Sequence, residues 1–265
     1  MNKSHVICGI LILFSFVACN PFEDKKGKEQ DDVSQDSLTT ETAAAIYQFN
    51  KDSIAEHQLF MIDVFRVFDD EKKPQDIINN SWLDLHTKDN KYYLDSLDYS
   101  IEMAGEDACS GYPLQEVKSN RNSLLFMNIP SLHKGEVETI FSMSKVMCPN
   151  ESYSFQFNNN GYELKATGEI SLQQNYVDDF GKQVQYCEST DYSLAIYMNG
   201  KLQNRILDNE TFDQTTVSLV FVGDLDKDGY ADFIISAPRH YEEQRYLLIL
   251  SSDNKIYEAY NSFDC

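Results

Sequence analysis

From Phe65 onward, hydrophobic and polar residues alternate with a period of two in one short run after another. In "KYYLDSLDYSIEM", Tyr93, Asp95, Leu97, Tyr99 and Ile101 oppose Leu94, Ser96, Asp98 and Ser100, mostly apolar against polar, as a half-buried strand requires. Comparable runs follow at "NSLLFMNI", "ESYSFQF", "YELKATGEI", "DYSLAIYM", "TTVSLVFVG", "DFIISA" and "RYLLIL". Asn159-Asn160-Gly161 and Asn199-Gly200 punctuate them, and Asn-Gly readily adopts the positive φ angles of a tight hairpin turn. The pattern predicts a mainly β fold, an antiparallel sandwich or rolled sheet. "TTETAAAIYQFNKDSIAEHQLF" has apolar residues three and four apart and Thr40 as a cap, which predicts a short N-terminal helical segment. "IPSLHKGEVETIFSMSKVM" reads as a further short helix or an irregular crossover, and no internal repeat is present.

Upstream of that pattern, Lys3 is followed by an apolar run from Val6 to Val17 and small residues before Cys19. The run is shorter than the ~20 residues a helix needs to cross a bilayer, so residues 1–18 read as an export signal. Phe16-Val17-Ala18-Cys19 resembles the lipobox of bacterial lipoproteins, with Phe16 where Leu is usual. The resemblance implies cleavage before Cys19, palmitate-type diacylation of its sulfur and acylation of the new amine. Several acyl chains anchor stably where one binds marginally. Residues 19–40 carry the lipidated Cys and a polar, acidic stretch that cannot bury enough surface to order itself; it reads as a tether with a reach of roughly 25 Å. Glu23 and Asp24 resemble the signals that send some lipoproteins to the outer face of the outer membrane, so attachment there is expected, surface-exposed in preference to the periplasmic face. Residues 41–265 are expected to form one β-rich domain.

"GDLDKDGYAD" is the densest chemistry in the chain. Asp224-x-Asp226-x-Asp228-Gly229-x-x-Asp232 turns alternate side chains to the inside of a tight loop, Gly229 allows the bend, and Tyr230 offers its carbonyl at the seventh position. Hard oxygen donors without His or Cys select calcium, with a structural role. Four crowded carboxylates raise one another's pKa values unless a cation lies between them. An EF-hand does not fit: its twelfth position, a Glu, is here Ile235, and the flanks "SLVFV" and "FIIS" are strand formers. "VGDLDKDGYADFIISAP" resembles the calcium loop of FG-GAP repeats, the blades of integrin-type β-propellers, which implies Asp224, Asp226, Asp228 and Asp232 as ligands. One such loop does not make a ring of blades, so a full propeller is not expected. More broadly, "WLDLHTKDNKYYL", "CPNESYSFQFNNNGYELKATGE" and the calcium loop look like a family of uncharacterised bacterial lipoproteins, a resemblance that implies no activity.

Composition narrows the partners. The 43 acidic against 22 basic residues give a net charge of −21, which repels nucleic-acid phosphates, so nucleic acid is not an expected partner. Once the leader and the lipidated Cys are set aside, Cys109, Cys148, Cys187 and Cys265 remain. An even number in an exported chain suggests disulfides; three pairings are open, and pairing within each half, Cys109 with Cys148 and Cys187 with Cys265, is preferred. His57, His86, His133 and His240 are too scattered for a metal cluster, and no HExxH, GxSxG or phosphate loop appears. Asp84 with His86, and Arg239 with His240, are the pairs that could join a site in space. Tyrosines in "KYYL", "DGYADF", "RHYEEQRY" and "KIYEAY" could present rings to a glycan or protein ligand. The expected function is a membrane-anchored envelope protein with a calcium-stabilised β domain in a binding or structural role. An envelope hydrolase with dispersed residues, or an inhibitor or immunity-type partner of an envelope enzyme, is the alternative.

Overall fold

The computed structural model describes residues 58–141, 144–177, 181, 183–253 and 255–263, all within the unit Ala43–Cys265. Strands account for 63% of the described residues and helix for 2%, so the mainly β expectation holds. The chain opens with β1 (Leu59–Phe60), β2 (Val64–Arg66) and the four-residue helix α1 (Pro74–Ile77). Next come β3 (Leu83–Lys88), β4 (Lys91–Ser96), β5 (Tyr99–Glu106), β6 (Pro113–Ser119), β7 (Asn122–Met127), β8 (Gly135–Phe141) and β9 (Lys145–Val146). The second half contains β10 (Ser152–Phe157), β11 (Asn160–Val177), β12 (Gln183–Met198), β13 (Lys201–Phe212), β14 (Ser218–Asp224), β15 (Asp232–Ser236), β16 (Glu243–Ile249) and β17 (Ile256–Ser262).

Ten strands form one sheet in the order β1-β7-β3-β4-β8-β14-β15-β16-β17, with β9 also on β14. This sheet rolls into a nearly closed but unsealed barrel, its end strands β1 and β17 side by side without a ladder between them. Smaller sheets, β10-β11-β12-β13 and β2-β6-β5, pack on its outside, and every ladder is antiparallel. The rolled-sheet expectation is therefore met, and the described residues form no ring of blades.

The sequence of β15 shows why. In "DFIIS" the first four residues are all buried. Phe233 and Ile235 face the four-stranded sheet, where they meet Leu164, Leu194, Ile196 and Leu207, while Ile234 points into the barrel with Leu85, Leu94, Leu125 and Leu248. A strand covered on both faces needs a continuous apolar run, not an alternating one. Away from that region, Phe60, Trp82 and Phe126 form a third cluster under the three-stranded sheet. Arg245, almost fully buried, joins Glu258 on β17 (2.5 Å) to Glu210 on β13 (2.6 Å). Removing a single member of such a set leaves a buried charge without its partner, which is strongly destabilising.

Several local expectations are corrected. "KYYLDSLDYSIEM" is two strands in different sheets, β4 and β5, parted at Leu97-Asp98, where Asn120 binds Asp98 through both its backbone and its side chain. In β4 the buried residues are Tyr92 and Leu94, the parity opposite to the one the longer run suggested. "GEVETIF", expected as helix or crossover, is β8. The hairpin between β10 and β11 turns on Asn158 and Asn159, both at positive φ, two residues earlier than the Asn160-Gly161 dipeptide, whereas Asn199-Gly200 turns β12 into β13 as expected. The predicted N-terminal helix lies outside the described residues except at its end, where Leu59–Phe60 is strand.

The preferred disulfide pairing is also overturned: Cys148 bonds Cys187, with their Cα atoms 5.8 Å apart. Spatial packing, not proximity in sequence, decides this. Cys148 follows β9 and the carbonyl of Met147 accepts the Tyr192 hydroxyl at 2.8 Å, which brings that end of the rolled sheet against β12. Cys109 is disulfide-bonded as well, and Cys265 lies outside the described residues. Non-reducing peptide mapping is expected to recover a cross-linked Cys148–Cys187 pair; a Cys109–Cys148 peptide in its place would contradict this packing.

Candidate metal centre

The acidic loop is the tip of the β14–β15 hairpin. Pairing of Gly223 with Asp232 places Asp224 at the end of one strand and Asp232 at the start of the next, the two ends of a tight reversal. Leu225, fully buried in the barrel core, and Ala231, buried against the four-stranded sheet, pin the loop on both sides. Lys227 and Gly229 take positive φ (63° and 87°), so the bend uses glycine where the sequence placed it.

Within that frame the carboxylates are held by backbone N–H groups. Asp224 accepts from Asp228 N (3.1 Å) and Gly229 N (3.0 Å), and Asp232 accepts from Leu225 N (2.6 Å) and Ser251 N (2.8 Å). Asp224, Asp226 and Asp232 each turn one oxygen into a common space where the three lie within 4.8 Å of one another, close enough to share one cation. Asp228 stands beside this trio, accepting from Tyr230 N (2.8 Å) and from the Ser251 hydroxyl (2.9 Å). Tyr230 is 44% exposed, and the group it could offer a cation is its backbone carbonyl, at the seventh position of the loop. Three carboxylate oxygens, joined by no His or Cys among the described residues, fit calcium better than a transition metal.

The electrostatics point the same way. Burial pushes the Asp232 carboxyl up to about 8, and the Asp226 charge adds to the rise. Asp226 is raised too, first by burial and then by its neighbours Asp228 and Asp224, while the Ser252 hydroxyl works against the shift. A cation in the shared space would supply the charge that these groups lack.

The neighbours of the loop come from elements whose connection to it is not local. Tyr162 on β11 accepts the Ala231 N–H (3.2 Å), and Asn158 donates to the Gly229 carbonyl (3.1 Å). Ser251 and Ser252 lie in the turn after β16. The pairing of Phe233 with Ile249 carries the end of β16 past Asp232, so that turn closes over the acidic loop. The only trace of this in the sequence is "SSD" at the end of the "RYLLIL" run, and nothing local connects it to residues 224–232.

The other candidates lie apart from this centre. Asp84 is completely buried on β3 against Arg121 Nη1 (3.3 Å), its pKa raised by burial and partly offset by Ser123, His86 and Arg121. His86 Nε2 lies 3.0 Å from Asp95, with its ring stacked on Tyr93. Arg239 pairs with Glu243 (2.6 Å) and lies over the Tyr260 ring. Arg239 and His240 line a cleft of about 760 Å³ along the open seam of the barrel, between Leu59–Met61 and Glu258–Ser262; Asp84 and His86 do not line it. Tyr241 and Tyr260 are exposed near it, whereas Tyr92 and Tyr257 are buried. His133 is exposed, and His57 and Cys19 lie outside the described residues.

Residues 216–248 match the FG-GAP repeat, a span that contains β14, the acidic loop and β15. The chain thus carries one FG-GAP repeat within a rolled β sheet. Comparison with curated proteins and with solved structures gives no match.

Proposed function

We propose that this protein is a lipid-anchored protein of the bacterial cell envelope whose β domain is stabilised by one calcium ion and serves a binding or structural role. The observation that carries the calcium part is the convergence of Asp224, Asp226 and Asp232 at the tip of a hairpin that matches the FG-GAP repeat, a family in which calcium binding is common. The ligands would be these three carboxylates, with Asp228 and the Tyr230 carbonyl completing an oxygen cage of the kind calcium favours. The lipid anchor rests on Phe16-Val17-Ala18-Cys19, with attachment at the outer membrane and the domain on its outer face.

Binding is preferred to hydrolysis because of where the groups lie. Asp84 and His86 are already engaged with Arg121 and Asp95, while the wide cleft lies elsewhere and combines aromatic with charged walls, as ligand sites do. A protein or glycan is the proposed ligand of that cleft. Two measurements test the reading. Equilibrium dialysis is expected to show one calcium bound per chain and none in Asp226→Ala. Labelled palmitate is expected to enter the wild type and not Cys19→Ala. Equal labelling of both would refute the anchor, and absence of calcium binding would refute the metal centre.

A further inference from the structure

We propose that the turn joining β16 to β17 is the second half of the metal centre, with Ser251 and Ser252 positioning the loop carboxylates. Calcium would then clamp the last hairpin to the FG-GAP hairpin. The inference rests on the calcium reading above and extends it to residues beyond the 216–248 match.

Three of the four loop aspartates are touched by this turn. Ser251 donates its backbone N–H to Asp232 (2.8 Å), and its hydroxyl lies 3.0 Å from Asp232 and 2.9 Å from Asp228. Ser252 donates its hydroxyl to Asp226. A serine hydroxyl has one hydrogen, so Ser251 Oγ can donate to only one of its two carboxylates at a time. Its place between them fixes their separation and aims the remaining lone pairs of Asp232 toward the space shared with Asp224 and Asp226. Groups in this position orient ligands and set affinity without touching the ion.

The turn is built to hold that position. Leu250 is buried in the barrel core at its start. Asp253 accepts from the Tyr257 hydroxyl (2.6 Å) and from Lys255 N (3.0 Å) at its end. Ser251 and Ser252 themselves are exposed, so replacing them removes hydroxyls without opening the core.

The test uses the full chain in detergent, with calcium as the probe. Titration calorimetry on wild type, Ser251→Ala/Ser252→Ala and Ser251→Thr/Ser252→Thr is expected to show roughly a 10-fold weaker Kd for the alanine pair and near wild-type affinity for the hydroxyl-retaining threonine pair. Hydrogen exchange is expected to slow with calcium at both 224–232 and 250–255 in the wild type, and only at 224–232 in the alanine pair. If calcium protects 224–232 but leaves 250–255 unchanged in the wild type, and the alanine pair binds as tightly as wild type, the clamp is wrong while the calcium site stands. If the wild type takes up no calcium, the reading beneath it fails, and the clamp with it.

Discussion

Millimolar calcium is expected to raise the unfolding temperature of the protein by roughly 5–10 °C, and Asp226→Ala to remove that gain. An ion present at about 100 times its Kd stabilises the folded state by ~2.7 kcal/mol, and each kcal/mol moves the midpoint of a domain of this size by about 2–4 °C. The source of the effect is the crowding of Asp224, Asp226 and Asp232, which burial and mutual repulsion leave short of positive charge. The same groups give the effect a pH signature. The folded protein holds the Asp232 proton up to about pH 8, whereas an unfolded chain releases it near the ordinary carboxylate value of ~4. Between those values the unfolded state binds fewer protons, so with a chelator present the Asp232 contribution to stability falls as pH rises. Calcium offsets the burial of the charge and should flatten that fall. The readout is the difference in unfolding temperature between wild type and Asp232→Asn, measured with chelator and with calcium from pH 4 to 8. A difference that does not change with pH in chelator would contradict the assignment.

The second large effect is expected from Gly223→Ala. A Cβ at Gly223 would lie 2.5 Å from the Glu138 carbonyl oxygen, 2.7 Å from the Phe221 ring and 2.9 Å from Thr139. The nearest of these is backbone of β8, which pairs with β14 at this point and cannot swing aside. Overpacking of this kind costs about 3 kcal/mol or more. Because Gly223 faces Asp232 across the ladder and precedes Asp224, any shift of β14 also moves two of the three converging carboxylates. Urea unfolding should therefore show a sharply lower midpoint, with weakened calcium binding in whatever protein folds. Gly229→Ala is the control: its φ is +87° but a Cβ there meets open space, so the cost is that of the left-handed backbone alone, about 1–2 kcal/mol. Equal losses for the two variants would mean that the close approach of β8 is not what requires glycine at 223.

How legible all this was depends on whether the determining contacts are local. Strands β14, β15 and β16 were legible as strands, though their apolar runs are more continuous than alternating because both of their faces are buried, and the aspartate spacing stands out because one loop supplies all the converging carboxylates. The parity of β4 was hidden by a break at Leu97-Asp98, which the pattern of alternation bridges without a flaw. The Cys148–Cys187 bond depends on how β12 packs against the end of β9, and the approach of Ser251 to Asp232 depends on the register of β15 with β16. Neither leaves a trace in residue spacing. Asp84 and His86 looked like a pair available for chemistry because two residues apart on a strand is one face; the structure puts that face under cover, each side chain with its own partner.

The open seam makes the rolled sheet nearly circular in a second sense. The strands that border it, β1 and β17, are the first and last of the described chain, and β2, just after β1, is tied to the chain's last described residues by Asn261, which donates to the Val64 carbonyl, and by Arg66, which donates to the Phe263 carbonyl. Spatial order thus closes on itself where chain order does not. A circular permutant of residues 58–263, with those two ends linked across the seam and new ends cut at the exposed Asn199-Gly200 turn, would keep every strand ladder of the fold.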